Sequence, residues 1–242
     1  MTRGADTSAS EIFARLYPEI IAAGGLAEAL TAAFRSAGFR DLRAVAREDG
    51  AADVDLGWGR FFVHLAAEER WFIFDLWWRG VRLLGGTTPD LLTVVELAGA
   101  RSSGATLREL TNGWPCADSD EIAAAVDRAD PALAVALHWR ELRAARWAEP
   151  IRPLVEAAHA DPRLRKLRPW TSHLSLHFSR CVGYPFTHDL PAIHPQERGY
   201  LVWDGDRLLG SADGPEEAVA LVTAVLPADC APAVLGTADD LD

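Results

Sequence analysis

The sequence predicts an α+β fold: an antiparallel sheet packed with helices, closing on a C-terminal β-hairpin plus helix. Three observations carry that expectation. Residues 60–84 hold apolar runs at strand spacing, separated by the short turns Glu68-Glu69-Arg70 and Arg79-Gly80. Residues 88–160 then show apolar positions at helical spacing, punctuated by cap and breaker residues. Finally, Asp204-Gly205-Asp206 sits between two short apolar runs, which is hairpin turn chemistry.

Taken in order, residues 1–9 read as a flexible tail. Ser10 caps a helix carrying Ile12, Phe13, Leu16, Ile20 and Ile21, which Pro18 and Gly24-Gly25 interrupt. A second helix runs from Leu26 to Ala37 and ends at Gly38. The strand Arg60–Ala66 alternates Phe61, Val63 and Leu65 against Phe62 and His64. Arg70–Trp78 is apolar on both faces, as in the middle of a covered sheet, and Val81–Leu84 makes a short third strand of a meander. Gly85-Gly86-Thr87-Thr88 resembles a phosphate loop only superficially, since no Lys follows; it reads as a loop and cap. Helices are expected from Thr88-Pro89-Asp90 to Ala100, over Thr106–Asn112, from Ser119 to Ala129, from Pro131 to Trp147, and over Ile151–Ala160. The last third returns to strands: Ser172–Cys181, Tyr200–Trp203 and Arg207–Ser211. Asp213 caps a helix over Pro215–Leu226 with Ala218, Leu221, Val222 and Val225 inward, and Ala233–Leu235 is a final short strand. The organisation expected is an N-terminal α+β region, 10–149, and a C-terminal α+β region, 150–242, packed as one globular unit.

Composition narrows the function classes. Hydrophobic residues at 49% and charged residues at 24% exclude wholesale disorder. A net charge of −11 argues against nucleic acid and an anionic membrane surface as partners, because both select clustered positive charge. A peptide, a small molecule or a biosynthetic partner protein fits better. No apolar run is long enough to span a bilayer and Met1–Ser10 lacks an apolar signal region, so a cytoplasmic location is expected. Cys116, Cys181 and Cys230 are an odd number and far apart, which is neither a disulfide framework nor a metal knuckle. No metal or cofactor is expected.

Several strings carry a family resemblance. They are Leu167 to His173, His177 to Thr187, Trp203-Asp204-Gly205-Asp206, Gly210 with Ala212, Glu216-Glu217-Ala218, and the segment Gly99 to Leu110. Through them the chain, after about residue 55, resembles an actinobacterial family of unknown activity whose members are labelled natural product biosynthesis proteins. The resemblance implies a role in making a ribosomally produced, modified peptide. It supplies no catalytic residues.

The residues themselves point to Trp170–Asp189. If Ser172–Cys181 is a strand, one face carries Leu174, Leu176, Phe178 and Arg180, and the other His173, Ser175, His177, Ser179 and Cys181. Two imidazoles, two hydroxyls and a thiol contain the groups of nucleophilic catalysis. On a strand His173 and His177 stand roughly 13 Å apart at about 3.3 Å per residue, too far to share one metal. On a helix they would be neighbours able to bind one zinc, and Leu174, Phe178, Cys181 and Val182 also match that spacing. A solvated polar face is the plain alternative to either. Thr187-His188-Asp189, with His194 nearby, forms a second cluster in which Asp189 could orient an imidazole or cap a turn. Candidate catalytic residues are therefore His173, His177, His188 and Asp189; candidate substrate-binding residues are Trp170, Ser175, Ser179, Arg180 and Tyr184. Trp58, Trp71, Trp77, Trp78, Trp139 and Trp203 either line a groove or fill the core. Three functions stay open: an accessory or tailoring protein of peptide-derived natural product biosynthesis, with or without histidine acid–base chemistry; a non-catalytic peptide- or partner-binding module; and a toxin immunity protein. The first makes the Trp170–Asp189 face a site only if the Thr187–His194 loop folds over it.

Overall fold

A computed structural model describes residues 9–227 and 230–241. The expected tail lies outside the described residues, apart from Ala9, which opens the first helix. The fold is α+β with two antiparallel sheets. The chain divides into two compact units, residues 1–78 with 82–120, and residues 79–81 with 121–242. Glu149-Pro150 lies inside a 3-10 turn, Arg146–Ile151, of the second unit.

The first unit begins with helices α1 (Ala9–Leu16), α2 (Pro18–Ala23) and α3 (Leu26–Ser36). Its sheet is a meander of six strands in sequence order: β1 (Ala44–Ala46), β2 (Ala52–Asp55), β3 (Arg60–Leu65), β4 (Phe72–Trp78), β5 (Val81–Thr88) and β6 (Ala117–Asp118). Helices α4 (Leu91–Ser102) and α5 (Leu107–Gly113) precede β6. Register sets Phe61 against Leu76 and Val63 against Phe74, so these side chains share the buried face. The opposite face of β4 is not covered as expected. Trp71, just before the strand, and Ile73 and Trp77 within it are 37%, 37% and 38% exposed, so the strand is buried on one side only.

Two further differences follow from local chemistry. Gly85-Gly86 is strand rather than loop, because β5 continues to Thr88 and pairs Gly86 with Ala117. A Cβ at Gly86 would run into the Cys116 carbonyl and the Phe74 ring, so the glycine permits a close strand approach. Pro89 precedes the α4 helix rather than opening it; Asp90 is the cap and accepts from Leu92 and Thr93 backbone N–H.

The second unit holds α6 (Glu121–Asp127), α7 (Pro131–Ala144) and α8 (Arg152–Ala160), then a five-stranded sheet and α9 (Pro215–Val225). Its strands are β7 (Arg168–Ser172), β8 (Ser175–Ser179), β9 (Ala192–Pro195), β10 (Tyr200–Asp204) and β11 (Arg207–Ala212), each beside its sequence neighbour. The 204–206 hairpin forms as its turn residues dictate, with Gly205 at φ 56°. Gly214, not Asp213, is the cap residue of α9, and Val225 points outward, 44% exposed. Ala233–Leu235 contributes a single parallel bridge, Val234 to Cys181, instead of a strand.

Period-two alternation divides the C-terminal sheet into two faces. Pro169, Leu176, Phe178, Ile193, Val202 and Ala212 form the buried face. Helices α7 and α9 cover it; Trp139 of α7 packs 6.4 Å from Phe178 and donates its indole N–H to the Leu167 carbonyl at 3.0 Å. The other face carries Trp170, Ser175, His177, His194 and Trp203, and among the described residues no helix lines the cavity over it.

Candidate functional site

The open face is assembled on a hairpin that the residue pattern conceals. Ser172–Cys181 is not one strand. His173 and Leu174 form a two-residue loop at φ 49° and 67°, and the chain reverses there. Left-handed φ at both loop positions is what a twisted two-residue hairpin demands, usually from Asn-Gly. His173 is thereby removed from the face it was expected to share with His177. It is exposed, 3.2 Å from the Ser172 hydroxyl. The fold-back brings Trp170 directly opposite His177. Their rings stack with centroids 4.1 Å apart and planes 18° from parallel.

The segment after β8 folds over this platform because Ser179 holds it there. The fully buried Ser179 hydroxyl accepts from the N–H groups of Cys181 at 3.1 Å and Thr187 at 3.2 Å, and bonds the Cys181 carbonyl at 3.0 Å. The Thr187 hydroxyl in turn accepts from Arg180 N–H at 3.0 Å. Ser179 is thus spent on the loop and is not presented to a substrate. The loop delivers His188 edge-on to Trp170 at 5.4 Å and Phe186 at the same distance. Trp170, His177, His188, His194, Trp203 and Asp206 then line one cavity of about 320 Å³.

Burial, and then the nearby His194 and His188, push the His177 imidazole down to about 4, so it is neutral at pH 7. His194 stands edge-on to His177 at 5.8 Å, and its Nδ1 is 2.9 Å from the Ser175 hydroxyl, its cross-strand neighbour. The site offers a rigid aromatic platform, a neutral imidazole and a hydroxyl–imidazole pair. Among the described residues, no group of three or more His, Cys, Asp or Glu is placed to hold a metal ion.

The remaining candidates lie elsewhere. Asp189 does not orient a histidine: it accepts from Arg180 Nε and Nη2, both at 2.6 Å. Burial opposes its ionisation, but the Arg180 and Thr187 hydrogen bonds outweigh that and hold the carboxyl below its usual range. Arg180 is committed to the same pair. Tyr184 is 67% exposed and packs edge-on to Phe186 at 5.5 Å, outside the cavity lining. Of the tryptophans, Trp139 is core and Trp203 lines the cavity. Strand β9 carries little local signature, because it is four residues long, follows Pro191 and ends at Pro195, although His194 sits at an alternate position from Ala192. His138, Arg168 and Phe186 were also passed over; Arg168 alternates with Trp170 on β7, which was the available signal.

Neither a curated protein nor a solved structure matches the chain. Residues 133–237, which include every residue lining the cavity, match a family of unknown function (DUF6193).

Proposed function

We propose that this chain is an accessory or tailoring protein in the biosynthesis of a peptide-derived natural product, and that it binds a precursor peptide or intermediate on the open face of the C-terminal sheet. The observation that carries the reading is the Trp170–His177 stack sharing one cavity with Trp203. Flat rings give a planar side chain about 0.5–1.5 kcal/mol beyond the area it buries. A base works best with a conjugate acid near the operating pH, and His177 at about 4 is far below it. His177 therefore serves better as a hydrogen-bonding wall than as a proton acceptor, which favours recognition. The acidic chain suits a neutral or basic peptide.

One observation favours chemistry as a second reading: the 2.9 Å contact between Ser175 Oγ and His194 Nδ1, the arrangement that activates a hydroxyl nucleophile. Asp189 is committed to Arg180 and does not complete that pair.

Panning a displayed library of random peptides on the purified chain tests the first reading. Peptides rich in aromatic residues should be recovered, and Trp170→Ala and Trp203→Ala should each weaken them at least about tenfold, the loss of one anchoring side chain. Equal recovery on wild type and both variants overturns it. In a producing strain, Ser175→Ala separates the readings: product persists if the chain only binds and disappears if Ser175 reacts.

A further inference from the structure

Helix α7 and strand β7 border a second cavity, about 420 Å³, lined by His138, Glu141, Trp147, Arg168, Trp170 and Phe186 among others. It shares only Trp170 with the imidazole cleft. Three side-chain nitrogens on its walls are buried without a hydrogen-bond partner: Arg168 Nε, Trp170 Nε1 and His138 Nε2. Each orphaned polar atom costs on the order of 1–3 kcal/mol, and native chains keep few of them. Three around one cavity require a reason.

Arg168 supplies it. Among the described residues no carboxylate lies within ion-pairing distance of its guanidinium. Nη1 makes one long contact, 3.4 Å to the Pro169 carbonyl, and the Phe186 ring covers one face of the group at 3.8 Å. Nε is buried without a partner, and beside it Nη2 makes no hydrogen bond among the described residues. That edge is the one that grips a carboxylate with two parallel hydrogen bonds. Burial weakens the guanidinium's hold on its proton, down to about 10, with Cys181 and Glu141 acting the other way. A largely buried cation without an ion-pair partner is what an incoming anion relieves.

We propose that this cavity binds a carboxylate, paired to the Nε–Nη2 edge of Arg168 with the Trp170 indole N–H as a further donor. His138 is held neutral by burial and by the Arg168 charge, so it presents Nε2 as a hydrogen-bonding group rather than as a second cation. Glu141 on the same wall selects a monoanion over a phosphate dianion. The three nitrogens are sealed from water and the Phe186 ring lies over the guanidinium, so the ligand enters by displacing Phe186. The carboxylate is that of a small organic acid or of a peptide C-terminus.

Calorimetric titration of the full chain distinguishes these sources. The probes are benzoate, N-acetyl-alanyl-phenylalanine and the amide of each, up to about 10 mM so that a weak site still registers. The expected result is saturable binding of at least one acid, with its amide at least about tenfold weaker. Binding of the dipeptide acid alone identifies a peptide terminus; binding of benzoate as well identifies small acids. Arg168→Met should abolish binding while leaving the ligand-free Tm unchanged or higher, whereas a purely structural arginine would lower it. Trp170→Phe keeps the ring, removes the N–H, and should weaken binding about three- to tenfold, the worth of one hydrogen bond. It decides the matter if Arg168→Met does not fold. No binding of either acid, equal binding of acid and amide, or full affinity in a folded Arg168→Met or Trp170→Phe variant overturns the proposal.

Discussion

The Trp170 indole lies flat on the His177 imidazole, centroids 4.1 Å apart, because the two are direct partners across the β7–β8 hairpin. Burial first, then the neighbouring His194 and His188, lower the His177 pKa from 6.5 to about 4. The unfolded chain therefore takes up a proton at a pH where the fold does not. Stability should be level above about pH 6.5 and fall as pH drops toward 4, where folded His177 also protonates. His138, lowered to about 3, acts in the same direction and over a wider span. Carboxylates held below their usual range, such as Glu156 and Asp189, begin their own losses only near the acid end. His177→Phe keeps a stacked ring without a titrating group, so its Tm between pH 6.5 and 4.5 should be flatter than wild type. Parallel curves for the two proteins would contradict this assignment.

His173 and Leu174 occupy left-handed backbone, which costs a non-glycine residue roughly 1 kcal/mol or more. Replacing the pair by Asn-Gly should stabilise the fold by about 1 kcal/mol, a Tm gain of about 2–4 °C for a chain of this size. Peptide recovery should be unchanged, because His173 lies outside the cavity. Loss of recovery in the stabilised variant would return His173 to the site.

Tyr17 is wholly buried, and its hydroxyl lies 2.8 Å from the Ala66 carbonyl and 3.0 Å from those of Glu69 and Trp71. It also accepts the Trp71 N–H at 3.0 Å. One oxygen thus accepts one backbone N–H and gives its single proton to one of three carbonyls in the turn between β3 and β4. Tyr17→Phe should cost about 1–3 kcal/mol by stranding the Trp71 N–H and one turn carbonyl, read as a lower urea midpoint at unchanged slope.

The Arg180–Asp189 pair is close but exposed, with side chains 38% and 45% accessible. Exposed pairs contribute about 0–1 kcal/mol. Asp189→Asn should therefore shift Tm by no more than a few degrees and leave peptide affinity intact. A loss of affinity without a loss of stability would mean that the carboxylate acts on the ligand.

The fold class, the meander and the 204–206 hairpin were readable because each rests on short-range chemistry. Phe61, Val63 and Leu65 recur at every second position, and Gly205 supplies the turn. What failed lacked a local signature. His173-Leu174 contains neither Asn nor Gly, so the hairpin passed for one long strand. Gly85-Gly86 passed for a loop because the Cys116 carbonyl that requires the glycine is thirty residues on. The open face of β4 was invisible because Trp71, Ile73 and Trp77 are apolar whether or not anything covers them.

The candidate site divides along the same line. By itself the sequence determined which stretch gathers the indole and imidazole groups, since Trp170, His177 and His188 crowd into nineteen residues. Only the tertiary structure decided which of its groups lie together. The hairpin removes His173 and pairs His177 with Trp170, the Ser179 hydroxyl draws the loop and His188 over them, and β9 brings His194 across from Ser175. The physical reason is that strand alternation is written in neighbouring residues, whereas partnership is set by where the chain reverses and which strand lies alongside.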